Sequence, residues 1–314
     1  MDVMELLTST LIQGLIYALI SYGVYITYSI LDFPDLGVDG TFPLGAAVTA
    51  VLMTRGVNAW LTLPISLVVG GLAGLFTGVV HVKLKVRNLL AGIITMTALF
   101  SVNLQIAGSN LNIDRGTDTI FTSAPVTALL GDLSLTGRKL IVSAVLVIVV
   151  KLLLDAYFHT KSGLLLRAVG DNATLVTTLA KDRGTVKILG LVISNALVAL
   201  GGCIVCHETR SFSATMGTGQ LVYGLAAVII GVSLMNFYSS SRLARGLRKG
   251  GALRLLASPQ GTTAVVLGSV LYKLCIQIAM SMGLPTNMMK LITAALFLLV
   301  LVLSGRKGEA IIHA

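Results

Sequence analysis

Three carboxylates and two prolines lie close together between the first two apolar stretches of the chain. The segment reads Asp32-Phe-Pro-Asp-Leu-Gly-Val-Asp-Gly-Thr-Phe-Pro, and it ends at Pro43. Because proline breaks helices, this segment predicts a polar interruption. Polar backbone at membrane depth is tolerated only where it is buried in protein or lines a cavity. The segment is interpreted either as part of a substrate path or gate, or as an ordinary loop at a membrane surface.

A lysine lies deep inside a late apolar run, which is an expensive place for a charge. Lys273 falls about halfway along residues 259–282, and a charge at such depth is usually paired or functional. We predict a structural ion pair with Asp32, Asp35 or Asp39, or bonds to free carbonyls at a helix end. Contact with substrate and extension of the side chain to the headgroups are the alternatives.

Residues 160–185 carry the pattern of a docking element. Asp171 or Asn172 can cap a short helix that follows them, because their side chains accept from free N–H groups. Leu175 and Leu179 then share one helix face at i, i+4. An apolar face on a short exposed helix suits docking into a groove of another protein. The alternative is a helix that lies in the headgroup region.

Several polar and aromatic side chains inside the apolar runs could line a substrate path. They are Phe33, Thr41, Thr95, Thr97, Asn103, Gln105 and Asn195. Membrane helices also use such groups to bond to one another. The sequence contains no phosphate-binding loop and no metalloprotease or nucleophile-elbow motif. We therefore predict a non-catalytic chain that binds no cofactor or metal itself, so any nucleotide that powers it must bind to another chain.

Small residues predict close helix packing in two places. Gly70, Gly74 and Gly78 recur at i, i+4 and i+8, which places them on one helix face and indicates an intrachain contact. Cys203 and Cys206 form a C-x-x-C pair, but they lie in an apolar helix without the strand context of a redox motif. They are interpreted as packing residues.

The composition places these residues in a membrane. The chain is 55% hydrophobic and 11% charged, with a mean hydropathy of +0.91, whereas soluble domains carry about a quarter charged residues. We predict an all-α polytopic membrane protein with about nine transmembrane helices, since about 20 residues cross a bilayer. The apolar runs are 6–31, 38–54, 60–80, 88–108, 140–158, 187–206, 220–237, 259–282 and 288–305.

Basic residues concentrate in the loops around 81–87, 160–187 and 238–257 and in the tail 306–314, and the positive-inside rule places these in the cytoplasm. The acidic loop 109–137 is then outside. This orientation explains the net charge of +10, so binding to nucleic acid is not needed to account for it. It predicts a multi-pass protein of the plasma or inner membrane, with the N-terminus outside and the C-terminus in the cytoplasm.

Two distant segments resemble each other. Residues 36–48 and residues 216–228 both follow a long apolar run, contain a polar, glycine-rich break and continue into an alanine-rich helix. With the orientation above, the two halves of the chain run in opposite directions. This arrangement predicts an inverted repeat, in which paired breaks lie near the substrate path.

The chain is similar to ABC-importer permeases of the branched-chain amino acid and ribose permease superfamily, especially the subgroup paired with a lipoprotein-type binding protein. The run Leu-Asp-Phe-Pro-Asp-Leu-Gly-Val-Asp-Gly-Thr-Phe-Pro-Leu-Gly-Ala at 31–46 resembles their N-terminal signature. Further agreement is found at 89–99, 168–172, 224–231, 267–273 and 291–294. The resemblance therefore covers nearly the whole chain.

This resemblance implies a homodimeric permease in the lipid bilayer, two cytoplasmic ABC ATPase subunits that bind ATP and Mg²⁺, and an extracellular or periplasmic substrate-binding lipoprotein. It also implies that region 163–182 is a cytoplasmic coupling helix that docks in the ATPase. The residues assigned to this coupling are Gly163, Arg167, Gly170, Asp171, Asn172, Leu175, Leu179 and Asp182.

We therefore predict a permease subunit of an ATP-driven importer for a small polar solute, with amino acids first and nucleosides or sugars next. The alternative is an ion-coupled secondary transporter that uses Asp32, Asp35, Asp39 and Lys273. A single transmembrane permease domain is predicted over 1–314. Its parts are a first half 1–137, a connector helix 138–158, a coupling loop 159–186, a second half 187–305 and a cytoplasmic tail 306–314.

Overall fold

The computed structural model describes residues 3–171, 182–240, 261–281 and 288–312. Within these ranges the chain is almost entirely helical, and one short antiparallel pair of strands joins two loops. The helices are α1 (Val3–Val24), α2 (Val38–Thr54), α3 (Ala59–Val82), α4 (Asn88–Ala107), α5 (Ala124–Leu130), α6 (Leu135–Phe158), α7 (Lys161–Asp171), α8 (Arg183–Thr209), α9 (Gln220–Ser240), α10 (Gly261–Ser281) and α11 (Met289–Ile312).

The predicted all-α polytopic membrane fold is confirmed, and each of the nine predicted apolar runs coincides with a helix. Within the described ranges, 6 helices are long and apolar enough to cross a membrane. The apolar parts of α2, α9 and α11 are shorter. Two further helices, α5 and α7, lie in segments predicted to be loops.

The glycine stripe on α3 packs against α8, as predicted. A Cβ atom added at Gly74 would overlap the carbonyl group of Leu191, and one at Gly70 would overlap Ala199. Gly78 faces Ile188 one turn further along. The two helices therefore approach closely through most of their length, and Cys203 and Cys206 of α8 are fully buried in the same core.

The strands β1 (Asn110–Asn112) and β2 (Ser211–Ser213) lie at the end of α4 and α8. Their central pair is Leu111 opposite Phe212. Arg210 precedes β2, and its guanidinium donates to the carbonyls of Asp114, Arg115 and Thr117 at 2.9–3.0 Å. These bonds fix the position at which the glycine-rich segment 214–219 leaves β2.

Candidate functional site

The first long helix ends in a distorted turn that sends the chain back into the protein. After α1 the backbone forms a π-helical turn, Tyr25–Ile30, and such turns are frequent at functional sites. Asp32 follows with a φ of 50°, a left-handed conformation, and its side chain is exposed. Phe33 is buried, with its ring centroid 4.9 Å from that of His81. The segment is thus a break packed against α3.

The next carboxylate, Asp35, is buried completely and joins three parts of the protein. It accepts hydrogen bonds from the backbone N–H of Gly37 at 2.8 Å and from the side-chain amide of Asn195 at 2.9 Å. The Asn195 carbonyl oxygen in turn accepts from the hydroxyl of Thr41 at 2.7 Å. The polar segment is therefore buried in protein, rather than forming an ordinary surface loop. Three of the predicted path residues form one buried network.

The third carboxylate, Asp39, connects the two glycine-rich breaks. Its oxygens accept from the backbone N–H groups of Gly219 at 2.9 Å and Leu221 at 2.8 Å. These N–H groups lie at the start of α9 and are free of helical partners there. A negative charge at a helix N-terminus is favourable. The segments that resemble each other in sequence are thus in direct contact.

A cavity of about 270 Å³ lies beside this contact. Three of the predicted path residues, Asp39, Thr97 and Asn103, line it. Asn103 is fully buried and donates to the carbonyl of Gly40 at 3.1 Å, but its own carbonyl oxygen has no partner. The full lining is Asp39, Gly40, Pro43, Met96, Thr97, Phe100, Asn103, Ala214 and Thr218.

The other predicted path residues lie elsewhere. Thr95 is buried and accepts from Thr77 at 2.9 Å, so it joins α4 to α3. Gln105 is exposed and is not part of the cavity lining. Sequence reasoning missed Met96 and Phe100, although both share one face of α4 with Asn103 at spacings of four and three residues. This helical spacing could have identified Met96 and Phe100 as neighbours of Asn103 from the sequence.

The predicted ion pair of Lys273 with a carboxylate in the first break is wrong. The side chain is 6% exposed, and its amine lies 4.5 Å from the ring centroid of Tyr17. The ion pairs of the described residues do not include Lys273. Asp35 and Asp39 already accept hydrogen bonds from backbone N–H groups at the starts of helices. The ring of Tyr17 can stabilise the charge of Lys273 in place of a carboxylate.

Because Lys273 is buried without an anionic partner among the described residues, Lys273→Met is expected to preserve uptake. Methionine is an unbranched apolar side chain only one heavy atom shorter than lysine, and it removes a charge that burial disfavours. Uptake rate and thermal midpoint of the purified protein are the measurements, and we expect the midpoint to stay or rise. Loss of uptake with an unchanged midpoint would instead favour the ion-coupled alternative.

The start of the predicted coupling loop is the helix α7, which packs on the π-helical turn Tyr25–Ile30, on the end of α6 and on α8. A Cβ atom at Gly170 would overlap the carbonyl of Ile30, and one at Gly163 would overlap that of Tyr157. Leu166 and Val169 are buried on the same side. The spacing of these positions by three and four residues explains why a helix forms here.

The remaining predicted coupling residues have different positions. The guanidinium of Arg167 lies 4.9 Å from the ring centroid of Phe158. Asp171 is the last residue of α7. Asn172, Leu175 and Leu179, with the short helix predicted to contain them, lie outside the described residues.

Asp182, the last of the predicted coupling residues, caps the start of α8. Its carboxylate accepts from the backbone N–H groups of Gly184 at 3.0 Å and Thr185 at 3.2 Å, and from the Thr185 hydroxyl at 2.7 Å. The Thr185 hydroxyl bond, followed by the two backbone bonds, lowers the pKa of Asp182 below its usual value. The residue is a helix cap, which orients the start of α8 near α7.

Comparison with known proteins identifies the family. The family described as branched-chain amino acid transport system / permease component matches residues 6–301. The tyrosine transport system permease protein of Clostridioides difficile is 36% identical over 286 residues, covering 91% of this chain and 87% of the relative. The probable branched-chain amino acid transport permease protein LivH of Methanocaldococcus jannaschii is 26% identical, covering 83% of this chain and 92% of the relative.

The ribose import permease protein RbsC of Haemophilus influenzae is 27% identical, covering 71% of this chain and 68% of the relative. No solved structure matches the chain. The matched residues 6–301 include the buried break and the cavity lining described above. The chain therefore belongs to the family of branched-chain amino acid transport system permease components.

Proposed function

We propose that the chain is the permease subunit of an ATP-driven importer that translocates a small polar solute. The observation that carries this proposal is the family match over nearly the whole chain. Amino acids are the first choice of substrate, because relatives named for tyrosine and branched-chain amino acid transport align over most of their length. Nucleosides and sugars come next, since nucleoside and ribose permeases align less completely.

The proposed assembly places this chain in the cell membrane with its N-terminus outside and its C-terminus in the cytoplasm. Two copies pair, and two ATPase subunits dock on the cytoplasmic face, where they bind ATP and Mg²⁺. An external lipoprotein-type binding protein delivers the solute. Family membership supports the ATPase and the binding protein in general terms, and the basic loops support the orientation.

The packing of α7 supports a role in coupling. One side of this helix is buried against the π-helical turn Tyr25–Ile30, through Gly170 and the carbonyl of Ile30. The opposite side exposes Lys161, Leu164 and Arg167 at intervals of three residues. An exposed leucine between two basic side chains suits a groove on a soluble partner. Movement of the partner would then reach the π-helical turn and the break through α7.

Leu164→Asp is expected to weaken binding of the ATPase, because it places a charge in the proposed contact. Leu164 is 56% exposed, so the substitution leaves the core of the permease intact. The measurement is co-purification of the co-expressed ATPase through a tag on the permease, together with ATP hydrolysis by the complex. Leu175→Asp with Leu179→Asp tests the adjoining predicted helix in the same assay.

The matched control is Leu129→Asp. This leucine is 84% exposed on α5, a short helix at the other end of α6 from α7. We expect the control to retain the ATPase. Equal retention by all variants would count against docking at region 161–182. If the permease purified without an ATPase and took up solute under an ion gradient, that result would contradict the proposal of an ATP-driven importer.

A further inference from the structure

We infer that the cavity between α2, α4 and segment 214–219 binds the ammonium group of the transported solute, with Asn103 and Asp39 as its acceptors. The inference rests on the proposed function, since it names how the solute of that transporter is recognised. It concerns the chemistry of the cavity lining, in which the Thr97 hydroxyl and the Asn103 amide nitrogen already donate within the protein, whereas the Asn103 carbonyl oxygen has no partner.

Two donor groups of the lining already bond within the protein. The hydroxyl of Thr97 donates to the carbonyl of Ile93 at 2.9 Å. The side-chain amide of Asn103 donates to the carbonyl of Gly40 at 3.1 Å. Thr218 supplies a hydroxyl that can donate or accept. A solute rich in acceptors would therefore find few donors here.

The acceptors of the lining have remaining capacity. The carbonyl oxygen of Asn103 is buried without a partner, although buried polar atoms are nearly always hydrogen-bonded. The carboxylate of Asp39 receives N–H groups from Gly219 and Leu221. Each carboxylate oxygen can accept more than one bond, so Asp39 can also accept from a ligand. A free carbonyl oxygen beside a negative charge fits a cationic donor.

A primary ammonium group matches this arrangement because it has three N–H donors, no acceptor and a positive charge. The rest of the lining is apolar, with Pro43, Met96 and Phe100 beside the polar groups. Its volume of about 270 Å³ is slightly below the range of about 300–1,000 Å³ for drug-sized ligands. The ligand class is therefore a small ammonium compound with an apolar or aromatic portion, such as an apolar amino acid.

The test measures protection of a thiol placed in the cavity lining. Cys275, which is exposed, is first replaced with serine, whereas Cys203 and Cys206 are buried and remain. Thr97→Cys is then labelled with a methanethiosulfonate reagent in proteoliposomes that contain the permease and its ATPase. L-phenylalanine, phenethylamine, 3-phenylpropanoate and D-ribose are the added probes.

L-phenylalanine and phenethylamine are expected to slow labelling of Thr97→Cys. The labelling rate falls by a factor of one plus the ratio of probe concentration to Kd, which is about fivefold at a concentration of about four times the Kd. 3-Phenylpropanoate, which lacks the ammonium group, and ribose are expected to leave the rate unchanged. Asn103→Leu in the same background is expected to remove protection without changing the unprotected labelling rate. Equal protection by 3-phenylpropanoate, protection by ribose, or no protection by any probe would overturn the inference.

Gln105→Cys provides the matched control. It lies on the same helix and is exposed, but it does not line the cavity. Protection there equal to that at Thr97→Cys would overturn the assignment of the cavity. To separate the two proposals, ATP-driven uptake is measured in the same proteoliposomes after the external binding protein has been added. Uptake of L-phenylalanine without protection overturns only the cavity site, whereas protection without ATP-driven uptake of any solute supports the site and contradicts the importer.

Discussion

Gly170→Val is expected to reduce uptake strongly while the ATPase stays bound. Even a Cβ atom at this position would overlap the carbonyl of Ile30, so α7 must move away from the π-helical turn that leads into the break. Overpacking of this kind costs about 1–3 kcal/mol. That cost shifts the population of the packed state by about fivefold to about 150-fold. The exposed side of α7, which we propose contacts the ATPase, is unchanged.

The measurements for Gly170→Val are ATP-dependent uptake, ATP hydrolysis and co-purification of the ATPase. We expect hydrolysis and co-purification to persist while uptake falls. Gly71→Val is the matched control, because a Cβ atom there meets only Val192 at 3.5 Å or beyond and the same residue type enters a helix. Wild-type uptake by Gly170→Val would show that the contact of α7 with Ile30 does not transmit movement.

The positions of the long helices could be predicted from the sequence because each has its own apolar run. The short helix α7 could not be recognised in this way, since its buried side is defined by Gly163, Leu166, Val169 and Gly170 against a partner surface. Two of these positions are glycines, which give no hydrophobic signal and lower helix propensity. The tertiary contacts with the π-helical turn, α6 and α8 decide the structure there.

The candidate site could be predicted only in part. The carboxylates and amides were found because polar groups in apolar runs are rare and costly. Their partners were not found, because Asp35 and Asn195 are 160 residues apart and nothing local connects them. The error at Lys273 has a related cause. Pairing was assumed between opposite charges, whereas the backbone N–H groups of helix starts bind Asp35 and Asp39.

The resemblance between residues 36–48 and residues 216–228 has a structural counterpart in their contact. Asp39 and Gly219 occupy equivalent places in the two segments, and the carboxylate of Asp39 accepts from the N–H of Gly219. Each break ends at the start of a helix, and broken helices of this kind provide free N–H groups within a membrane. Here the N–H groups at the start of α9 bind a side chain of the protein, and the cavity lies directly beside them.

Asp35→Ala is expected to cause the largest loss among substitutions in the first break. It leaves the N–H of Gly37 and the side-chain amide of Asn195 without their acceptor in a fully buried place. Each unsatisfied buried group costs about 1–3 kcal/mol, and the break loses its Asp35 bond to α8, although the bond from Thr41 to Asn195 remains. Asp39 lies four residues after Asp35 and lines the cavity, so a shift at the start of α2 also displaces the cavity lining. Uptake is therefore expected to fall at least about tenfold.

The size of the effect at position 35 should follow the number of hydrogen bonds lost. Asp35→Asn keeps an acceptor for Gly37 but presents a second amide donor to Asn195, so we expect an intermediate loss of uptake and of thermal midpoint. Asp32→Asn, three residues earlier and exposed, is expected to behave as wild type, because asparagine tolerates the left-handed backbone at that position. If Asp32→Asn impaired uptake more than Asp35→Ala, the exposed turn rather than the buried network would be the element that fixes the cavity.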